Sequence, residues 1–508
     1  MSDSPNHQSA ALAPGERLAR LATEAFTADP ARQAIEFEHR WITYGEVGVT
    51  ARRVAELVRE ASPERRAPVA FAPRNHPSAI AALMGLVSEM RNIRMMYVYQ
   101  SSEALARNVA RIEASVLVAA EEDFSPELVA ALRAGGVAGI KLTATGADFV
   151  PGLETVTRPC DPDAPDSPTF EMLTSGTTGS AKLWPLTYEL LEDRFVSANS
   201  VFGAAALAEL PPTLLCYPLC NISGLYTAVP AMVSGMRIIL QPKFSLEGWL
   251  EWVREYQPPH LYLPPIGIKM LLDADVPKEA LGRATHCRSG MTTVPVELQV
   301  AFKAKYGIPI VLSYGATEFG GVVVQMEEED ALKWGNAKLG STGRAYGAAQ
   351  VRVTHPETGE EVAPDEEGLL EVLVPSIKPG WSRTSDIARI DADGFVYILG
   401  RADGAIMRGG FKILPESVES ALIQHPGVRG AAVVGVPDDR VGEVPGALIE
   451  LHDDAGEVTA ADLESHVRRH VPATHVPAVW RFTREIPRTA SLKVSRAEVK
   501  DLLAAGRD

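Results

Sequence analysis

The chain has 508 residues, of which 46% are apolar and 22% are charged, and its formal net charge at pH 7 is −16. A chain of this length exceeds what one hydrophobic core supports, so two or more globular domains are expected. So acidic a chain is a poor match for nucleic acid or for an anionic membrane surface, although a nucleotide ligand needs only local positive charge.

Cysteine usage and the N-terminus indicate the compartment. The 4 cysteines are too few to hold a chain of this size by disulfides, and they predict a reduced, cytoplasmic setting. Cys216 and Cys220 lie in an apolar run without a second ligand pair, which gives little support to a zinc site. Residues 1–14 are predicted to be disordered and lack the pattern of a signal peptide. No window of the sequence predicts insertion into a membrane.

Strand and helix patterns alternate from residue 15 to about residue 340. Helices are predicted for GERLARLATEAF, for the stretch after RWIT, and from His76 to about Met90. Further predicted elements are the strands APVAFAPRN, SVLVAA, IKLTAT, PTLLCYPL, MRIILQP, HLYLPP and IPIVLSYG and the helices PELVAALRAGG and EGWLEWVREYQP. This alternation favours α/β layers built on largely parallel sheets.

The pattern changes twice toward the C-terminus. From about residue 340, GAAQVRVTHPETGEEV, GLLEVLVP and GFVYILGR predict short strands joined by turns. After Arg401 a compact α+β pattern begins, with helices predicted for PESVESALIQ, AADLESHVRRH and RAEVKDLLAAG and strands for VRGAAVVGV, GALIELH and AVWRFT. A domain boundary is therefore expected near residues 400–404.

Residues 174–182, TSGTTGSAK, combine small, hydroxyl and basic side chains. Such runs are commonly flexible linkers, but small residues also let backbone N–H groups converge on an anion while hydroxyls and a lysine add donors. The run is not a Walker A loop, because Ser180 and Ala181 separate Gly179 from Lys182. Its position between the predicted strand TFEML and the predicted helix TYELLEDRF favours a phosphate loop over a linker.

Three further motifs follow this loop in order: SYGATEFGG at 313–321, WSRTSDIARIDADGFVYILGRADGAIMRGGFKILPESVE at 381–419, and PRTASLKVSR at 487–496. With the loop, they resemble the adenylate-forming superfamily of acyl- and aryl-CoA synthetases, peptide-synthetase adenylation domains and luciferases. The family patterns are roughly TSGTTGxPKG, YGxTE, TGD and PRTxxGK. The resemblance extends from ITYGEV, near residue 40, to about residue 500, and several motifs in order are far more specific than one.

The resemblance and the patterns above together predict an α/β fold. A large N-terminal AMP-binding domain, 15–400, would contain two mostly parallel sheets and a β-rich subdomain. A hinge at 401–404, with Asp403 at the family's hinge position, would connect it to a small, mobile α+β C-terminal domain, 405–508.

The resemblance also implies a set of nucleotide-binding residues. The loop would wrap the β- and γ-phosphates of ATP, and its members are Thr174, Ser175, Gly176, Thr177, Thr178, Gly179 and Lys182. Tyr314 would stack beside the adenine and Gly315 would line its pocket. Asp386, assisted by Arg401, would accept hydrogen bonds from both ribose hydroxyls.

Three residues would carry the chemistry of the family. Thr317 would contact the α-phosphate, Glu318 would hold Mg²⁺, and Lys493 would reach the α-phosphate and the carboxylate of the acid. Attack of a carboxylate on phosphorus brings two anions together, so positive charge must offset their repulsion. A lysine on a mobile domain can be delivered for this step and then withdrawn.

The acid and its acceptor would occupy a second part of the site. The candidate acid-binding residues lie in 221–225, 289–292 and 316–321 and are Asn221, Gly224, Ser289, Gly290, Met291, Ala316, Phe319 and Gly320. This lining is mostly neutral and small, with Met291 and Phe319 as apolar walls, and it predicts an apolar or aromatic acid. The loop around Gly409, Gly410 and Lys412 would border the pantetheine tunnel of CoA.

Six positions depart from the family patterns, mainly on the substrate and acceptor side. They are Ala181 in place of proline, Leu183, Ser385 and Leu492 in place of glycines, and Tyr188 and Asn221 in place of histidines. The histidine that Asn221 replaces borders the acyl carboxylate and the thiol path in many CoA ligases. Asparagine cannot carry positive charge, so the handling of the acid is expected to differ there.

These observations predict an ATP- and Mg²⁺-dependent ligase that forms an acyl-AMP and then an acyl- or aryl-CoA. Because the departures spare the nucleotide residues, adenylation is better supported than CoA transfer. An amine or a carrier protein as acceptor, and activation of nitrite for diazotisation, are the alternatives. A catalytically inactive nucleotide-binding protein is disfavoured by the intact Lys182, Glu318, Asp386, Arg401 and Lys493. The sequence is compatible with a monomer or a homodimer.

Several residues have plainer interpretations that the ordered motifs outweigh. Alone, Glu318 would be a solvated loop acid, Asp386 a helix cap and Lys493 part of a basic surface.

Two other features predict structure and not chemistry. The histidines of the segment 466–475 are expected at the surface, because no carboxylate stands at ligand spacing. The residues Asp391–Gly394 lack the rest of a calcium loop and predict a turn between strands.

Overall fold

The computed structural model describes residues 13, 15–97, 102–174, 182–196, 207, 209–290, 294–408, 411–438, 441–489 and 493–505. The chain divides into two compact units, Met1–Tyr256 and Gln257–Asp508. Helices and strands alternate in both units, and the predicted mixed α/β character with parallel-containing sheets is confirmed. Among the described residues, no helix is both long enough and apolar enough to cross a membrane.

The elements of the first unit follow the predicted alternation. Its helices are α1 (Glu16–Ala28), α2 (Tyr44–Ala61), α3 (Pro77–Ser88), α4 (Ser102–Arg111), α5 (Pro126–Gly135), α6 (Tyr188–Leu191), α7 (Ile222–Val233) and α8 (Leu246–Tyr256). Its strands are β1 (Gln33–Phe37), β2 (Arg40–Thr43), β3 (Val69–Ala72), β4 (Ile93–Met95), β5 (Val116–Ala120), β6 (Ala138–Leu142), β7 (Ala147–Phe149), β8 (Thr169–Thr174), β9 (Lys182–Thr187), β10 (Thr213–Leu215) and β11 (Ile238–Leu240).

Two sheets organise the first unit. Seven strands form the larger one in the order β7-β6-β5-β3-β4-β8-β9, with a parallel centre and antiparallel strands at both edges. Every residue of β3 is buried, as expected for a parallel strand covered on both faces. The smaller sheet has the order β10-β11-β1-β2, in which only β2 is antiparallel to its neighbour.

The second unit contains three sheets. Its helices are α9 (Pro265–Asp273), α10 (Val296–Tyr306), α11 (Glu328–Trp334), α12 (Pro415–Ile423), α13 (Ala460–Val467) and α14 (Arg496–Ala504). Its strands are β12 (His260–Tyr262), β13 (His286–Ser289), β14 (Ile310–Ala316), β15 (Gly321–Gln325), β16 (Arg344–Ala345), β17 (Gln350–Thr354), β18 (Gly368–Leu373), β19 (Ser382–Ile390), β20 (Val396–Arg401), β21 (Ile406–Arg408), β22 (Phe411–Ile413), β23 (Val428–Asp438), β24 (Gly442–Leu451) and β25 (Val479–Thr483).

The three sheets differ in character, as the sequence predicts. The first, β12 to β16, begins with three parallel strands and ends with antiparallel pairs. Strands β17 to β20 form an antiparallel meander, which is the predicted β-rich part. The last sheet has the order β22-β21-β24-β23, with β25 parallel to β24, and an apolar core that includes Val433, Ile449 and Leu463 packs on it.

The segment after the phosphate loop differs from the prediction. A strand, β9, precedes the helix predicted at TYELLEDRF, and its first residue Lys182 is the Cα partner of Thr174 in β8. The helix itself is short and continues as a π-helix over Glu192–Val196. The run TSGTTGSAK therefore connects two antiparallel strands, and its residues 175–181 lie outside the described part.

A buried network of ion pairs connects β4 to β8, the strand that ends at this loop. Arg94 on β4 contacts Glu171 on β8 at 2.7 Å and Asp161 at 2.6 Å, and all three side chains are at most 8% exposed. The guanidinium also donates to the carbonyl oxygen of Ile112. Two carboxylates and one cation in so dry a place depend on one another, because each would be costly to bury alone.

Replacing Arg94 by methionine should therefore destabilise the chain by about 3–5 kcal/mol, since two buried carboxylates would lose their cation. Arg53→Met is the matched control, because Arg53 pairs with Glu56 and Asp148 on the surface and should contribute less than about 1 kcal/mol. Urea unfolding of both variants measures the difference. Equal losses of stability in the two variants would contradict the assigned role of the network.

Candidate active site

Asp386 and Arg401 face each other across the antiparallel pair β19–β20. They are Cα partners in the register, and an Nη atom of Arg401 lies 3.8 Å from a carboxylate oxygen of Asp386. Thr384 orients this corner, because its hydroxyl accepts from the amide of Asp386 at 2.9 Å and donates to the carbonyl of Leu370 at 2.8 Å. The meander thus sets a carboxylate and a guanidinium side by side at fixed positions.

Tyr314, on β14, completes the arrangement around this carboxylate. Its hydroxyl donates a hydrogen bond of 2.5 Å to the second carboxylate oxygen of Asp386. Burial raises the pKa of Tyr314 far above its usual range, and the neighbouring Asp386 adds to the effect, so the hydroxyl stays a donor. The sequence placed Tyr314 beside a nucleotide base but did not reveal this contact, because residues 314 and 386 are linked only by the tertiary fold.

A side chain at Gly315 would collide with the backbone, and one at Gly290 would crowd a neighbouring serine side chain. A Cβ on Gly315 would lie 2.2 Å from the carbonyl oxygen of Gly321, at a point where the β14–β15 register shifts. A Cβ on Gly290 would lie 2.8 Å from the hydroxyl oxygen of Ser313. The absence of a side chain at Gly315 suits the predicted adenine pocket beside Tyr314, and its absence at Gly290 suits the predicted acid pocket.

A short 3₁₀ helix, Thr317–Phe319, presents the predicted catalytic residues. Gly320 ends it with a φ of 64°, and its amide donates to the carbonyl of Thr317 at 3.0 Å. Phe319 packs in an apolar cluster with Tyr314, while Thr317 and Glu318 are only partly buried. The turn therefore directs one aromatic ring into the core and leaves a hydroxyl and a carboxylate accessible.

Lys493 lies on a hairpin that precedes α14. An isolated bridge joins Arg488 to Val494, and the amide of Thr489 donates to the carbonyl of Lys493 at 2.7 Å. Partial desolvation of the ammonium group lowers the pKa of Lys493, and the positive charge of Arg401 lowers it further. The negative charge of Glu318 raises this pKa. The fold therefore brings Lys493 into the electrostatic neighbourhood of both residues.

Two family models match the chain. Residues 22–381 match the AMP-binding enzyme family, and residues 417–493 match the AMP-binding enzyme C-terminal domain. The chain belongs to the AMP-binding enzyme family. It is an ATP-dependent ligase of the adenylate-forming superfamily, as the motifs predict.

Several known proteins are similar to this chain over most of its length. The sulfoacetate–CoA ligase of Cupriavidus necator is 31% identical over 393 residues, which are 73% of this chain and 74% of that protein. A 2-succinylbenzoate–CoA ligase of Bacillus cereus is 28% identical over 501 residues, which are 93% of this chain and 96% of that protein. ATP-bound MatB from Rhodopseudomonas palustris has a similar fold, with a TM-score of 0.78 at 23% identity over 96% of this chain and 99% of that chain. This likeness confirms the large N-terminal and small C-terminal domains.

Within this adenylate-forming fold, Arg401 contacts the predicted hinge residue. It forms a two-pronged ion pair with Asp403, at 2.9 and 2.6 Å. This guanidinium is the main cause that lowers the pKa of Asp403, and the hydroxyl of Ser385 acts in the same direction. Ser385, which replaces a glycine of the family pattern, thus contributes to holding the aspartate.

Two residues predicted or noted on the substrate side have structural partners. The hydroxyl of Ser289, on β13, donates to the carbonyl of Leu263 at 2.8 Å and is fully buried. The hydroxyl of Tyr188 donates to the carbonyl of Arg91 at 2.9 Å, and its ring stacks on Phe170. Tyr188, which replaces a family histidine, is therefore a core residue of the first unit.

Asn221 occupies the position before α7 in the first unit. The backbone amide of Asn221 donates to the carbonyl of Pro218 at 3.0 Å, and its side chain makes no capping hydrogen bond to the helix. A Cβ on Gly224 would lie 2.2 Å from the same carbonyl, so this turn requires a glycine. The side chain of Asn221 therefore does not cap the helix, and its Oδ1 atom accepts a weak contact from the thiol of Cys220 at 3.9 Å.

Several predicted positions lie outside the described residues. They are Ser175, Gly176, Thr177, Thr178 and Gly179 of the phosphate loop, Met291 of the acid pocket, and Gly409 and Gly410 of the acceptor tunnel. Thr174, Lys182 and Lys412 are described for the backbone alone, as ends of β8 and β9 and as part of β22. Their roles, and that of Ala316 in the acid pocket, stay predictions.

Two structural expectations had different outcomes. The predicted turn at 391–394 is confirmed, since Asp391 accepts from the amides of Asp393 and Phe395 and both aspartates pair with Lys338. The prediction that the histidines of 466–475 lie at the surface is wrong for His466, which is 8% exposed and contacts the carbonyl of Ala421.

Replacing Asp386 by asparagine should raise the Kd for AMP at least about tenfold, because one strong acceptor for the ribose is lost. The control is Asp393→Asn, which removes an aspartate of the nearby turn and should leave AMP affinity unchanged. Calorimetric titration with AMP and with its 2′,3′-dideoxy analogue separates ribose contact from misfolding. The wild type should discriminate between the two nucleotides and Asp386→Asn should not; undiminished discrimination in the variant would refute the ribose role.

Proposed function

We propose that this chain activates a small apolar or aromatic carboxylic acid with ATP and Mg²⁺ and transfers the acyl group to CoA. The observation that carries the proposal is the pair of contacts that Tyr314 and Arg401 make with the carboxylate of Asp386. The electrostatic effect of Arg401 and Glu318 on Lys493 supports the proposal, in which these residues serve a ribose, a hard cation and a phosphate.

The nucleotide is held by its sugar in this proposal. Asp386 receives hydrogen bonds from both ribose hydroxyls, and Tyr314 and Arg401 keep its carboxylate from turning away. The phosphate loop, with Thr174, Ser175, Thr177, Thr178 and Lys182 as donors and its glycines allowing close approach, wraps the β- and γ-phosphates. Thr317 contacts the α-phosphate, and the adenine lies beside Tyr314 over Gly315.

The first step joins the acid to AMP. One carboxylate oxygen attacks the α-phosphorus, the bond to the bridging oxygen of the β-phosphate breaks, and pyrophosphate leaves with the electron pair. The ammonium of Lys493 reduces the repulsion between the two anions and stabilises the charge that develops on the α-phosphate. The electrostatic effect of Glu318, which raises the pKa of Lys493, supports this role.

Glu318 suits a magnesium ion. Its carboxylate is a hard oxygen ligand on a short turn, only partly buried, and room for water and phosphate oxygens is what Mg²⁺ requires. Bound Mg²⁺ would supply charge neutralisation for the phosphates. Glu318 would hold the ion, and the 3₁₀ turn keeps Glu318 next to Thr317.

The second step would make the thioester. The thiol of CoA attacks the acyl carbonyl, the bond to the phosphate oxygen breaks, and AMP leaves. The residues Gly409–Lys412 border the entry path of CoA, and movement about Asp403 exchanges Lys493 for this surface. The CoA ligases that resemble this chain over most of its length support CoA as acceptor.

Transfer to another acceptor is the second candidate function. Asn221 favours it, because the neutral amide replaces a histidine that borders the thiol path in many CoA ligases. An amine or a carrier-protein thiol would then attack the same carbonyl, and nitrite is an alternative acid.

The proposal also includes the domain boundaries, which are an AMP-binding domain at 15–400, a hinge at 401–404 and a small C-terminal domain at 405–508.

An acid screen separates these functions. Pyrophosphate release from Mg-ATP is measured with a panel of apolar, aromatic and sulfonated acids and with nitrite, each with and without CoA. We expect release to require an organic acid and to rise with CoA as AMP is freed. Release that is unaffected by CoA but increased by an amine would exclude the CoA-ligase function and favour the second candidate.

Lys493→Ala should lower acid-dependent pyrophosphate exchange about 10²- to 10³-fold, because a charge on the transition state is lost. Lys500→Ala, on α14 of the same domain, should retain full exchange.

The side chain of Lys493 must be protonated to offset negative charge, and its pKa is lowered. Exchange should therefore fall on the alkaline side at a lower pH than for an ordinary lysine. Lys493→Arg should shift that fall to higher pH; full exchange in Lys493→Ala would contradict the assigned role.

A further inference from the structure

Two histidines and a glutamate meet where the first sheet of the second unit begins. His260 and His286 are the first residues of the parallel strands β12 and β13 and are direct Cα partners. Their rings stack with centroids 4.6 Å apart. Glu328 is the first residue of α11, and its carboxylate lies 3.3 Å from the Nδ1 atom of His286.

The three side chains are close enough to share an ion. One ligand atom from each lies within 4.8 Å of the other two, and no other group of three such residues is found within the described part of the chain. Tetrahedral zinc with bonds of about 2.0–2.1 Å sets its ligand atoms roughly 3.4 Å apart. His260 is exposed and Glu328 is partly exposed, so both side chains can reorient toward an ion shared with the buried His286.

The two ring nitrogens of His286 have different surroundings, because Nδ1, which faces Glu328, also lies 3.1 Å from the hydroxyl oxygen of Thr285. His286 is 1% exposed, and its Nε2 atom has no hydrogen-bond partner within the described residues. Because Glu328 approaches Nδ1, this is the nitrogen of His286 that a shared ion would use.

We propose that His260, His286 and Glu328 form a site for a divalent transition metal, best suited to Zn²⁺. Two imidazole nitrogens and one carboxylate oxygen are ligands that zinc accepts, and three protein ligands leave a fourth position for water. Hard cations such as Mg²⁺ prefer all-oxygen ligands, so the site selects against the cation of the nucleotide reaction.

The site is separate from the nucleotide site. Strand β13 runs from His286 to Ser289, so the histidines lie at the amino ends of the parallel strands and the predicted acid pocket lies at their carboxyl ends. The metal cross-links β12, β13 and α11. Because these ligands come together only in the folded chain, binding stabilises the fold and does not depend on adenylation.

The test uses the metal-free full-length chain without nucleotide. Calorimetric titration with Zn²⁺ should show one site, and the melting temperature should rise on binding. His260→Ala and Glu328→Gln, both at exposed or partly exposed positions, should each weaken binding at least about tenfold. The control is His470→Ala, in the histidine group of His425, His466 and His470, and it should bind Zn²⁺ like the wild type.

Cobalt(II) gives an independent readout. We expect the visible bands of a tetrahedral site without thiolate charge-transfer bands, and their loss in His260→Ala. The proposal is overturned if Zn²⁺ fails to bind, if both ligand variants bind like the wild type, or if His470→Ala abolishes binding. Thiolate bands would also overturn it, because they would assign the metal to cysteines.

Discussion

The proposed nucleotide site depends on the carboxylate of Asp386, which two neighbouring side chains hold in place. Tyr314 donates to one of its oxygens at 2.5 Å, and Arg401 lies 3.8 Å from the other, across the β19–β20 register. A carboxylate that must accept from two ribose hydroxyls has to be ionised and oriented before the sugar arrives. A phenol and a guanidinium on different strands provide that orientation, so ligand binding does not have to order a free side chain.

Arg401 links this carboxylate to the rest of the chemistry. Its shorter contacts, at 2.9 and 2.6 Å, are to Asp403, and its contact with Asp386 is longer, at 3.8 Å. Its positive charge also lowers the pKa of Lys493. One guanidinium therefore contacts Asp386 and the predicted hinge residue Asp403, and it also acts electrostatically on Lys493, the proposed catalytic lysine. A rotation at Asp403 would change all three at once, which gives a physical reason to expect binding and domain position to be coupled.

The sequence predicted the elements that bury a periodic apolar face, and it failed where tertiary contacts decide. The helix expected from His76 begins one residue later, whereas β9 was missed because its sequence, KLWPLT, contains Pro185, which only an edge strand tolerates. The ordered motifs predicted Asp386 and Lys493. They could not reveal that Ser289 would donate to a neighbouring backbone, because side-chain partners distant in sequence leave no local signal.

The central claim is that a carboxylate attacks the α-phosphorus of ATP. It is tested most directly with an accepted acid whose carboxylate oxygens are ¹⁸O, followed by mass spectrometry of the products. Attack at the α-phosphorus and later cleavage of the acyl–oxygen bond predict one ¹⁸O atom in AMP and none in pyrophosphate. Label in pyrophosphate or phosphate, or AMP without label while the acid is consumed, would contradict the account.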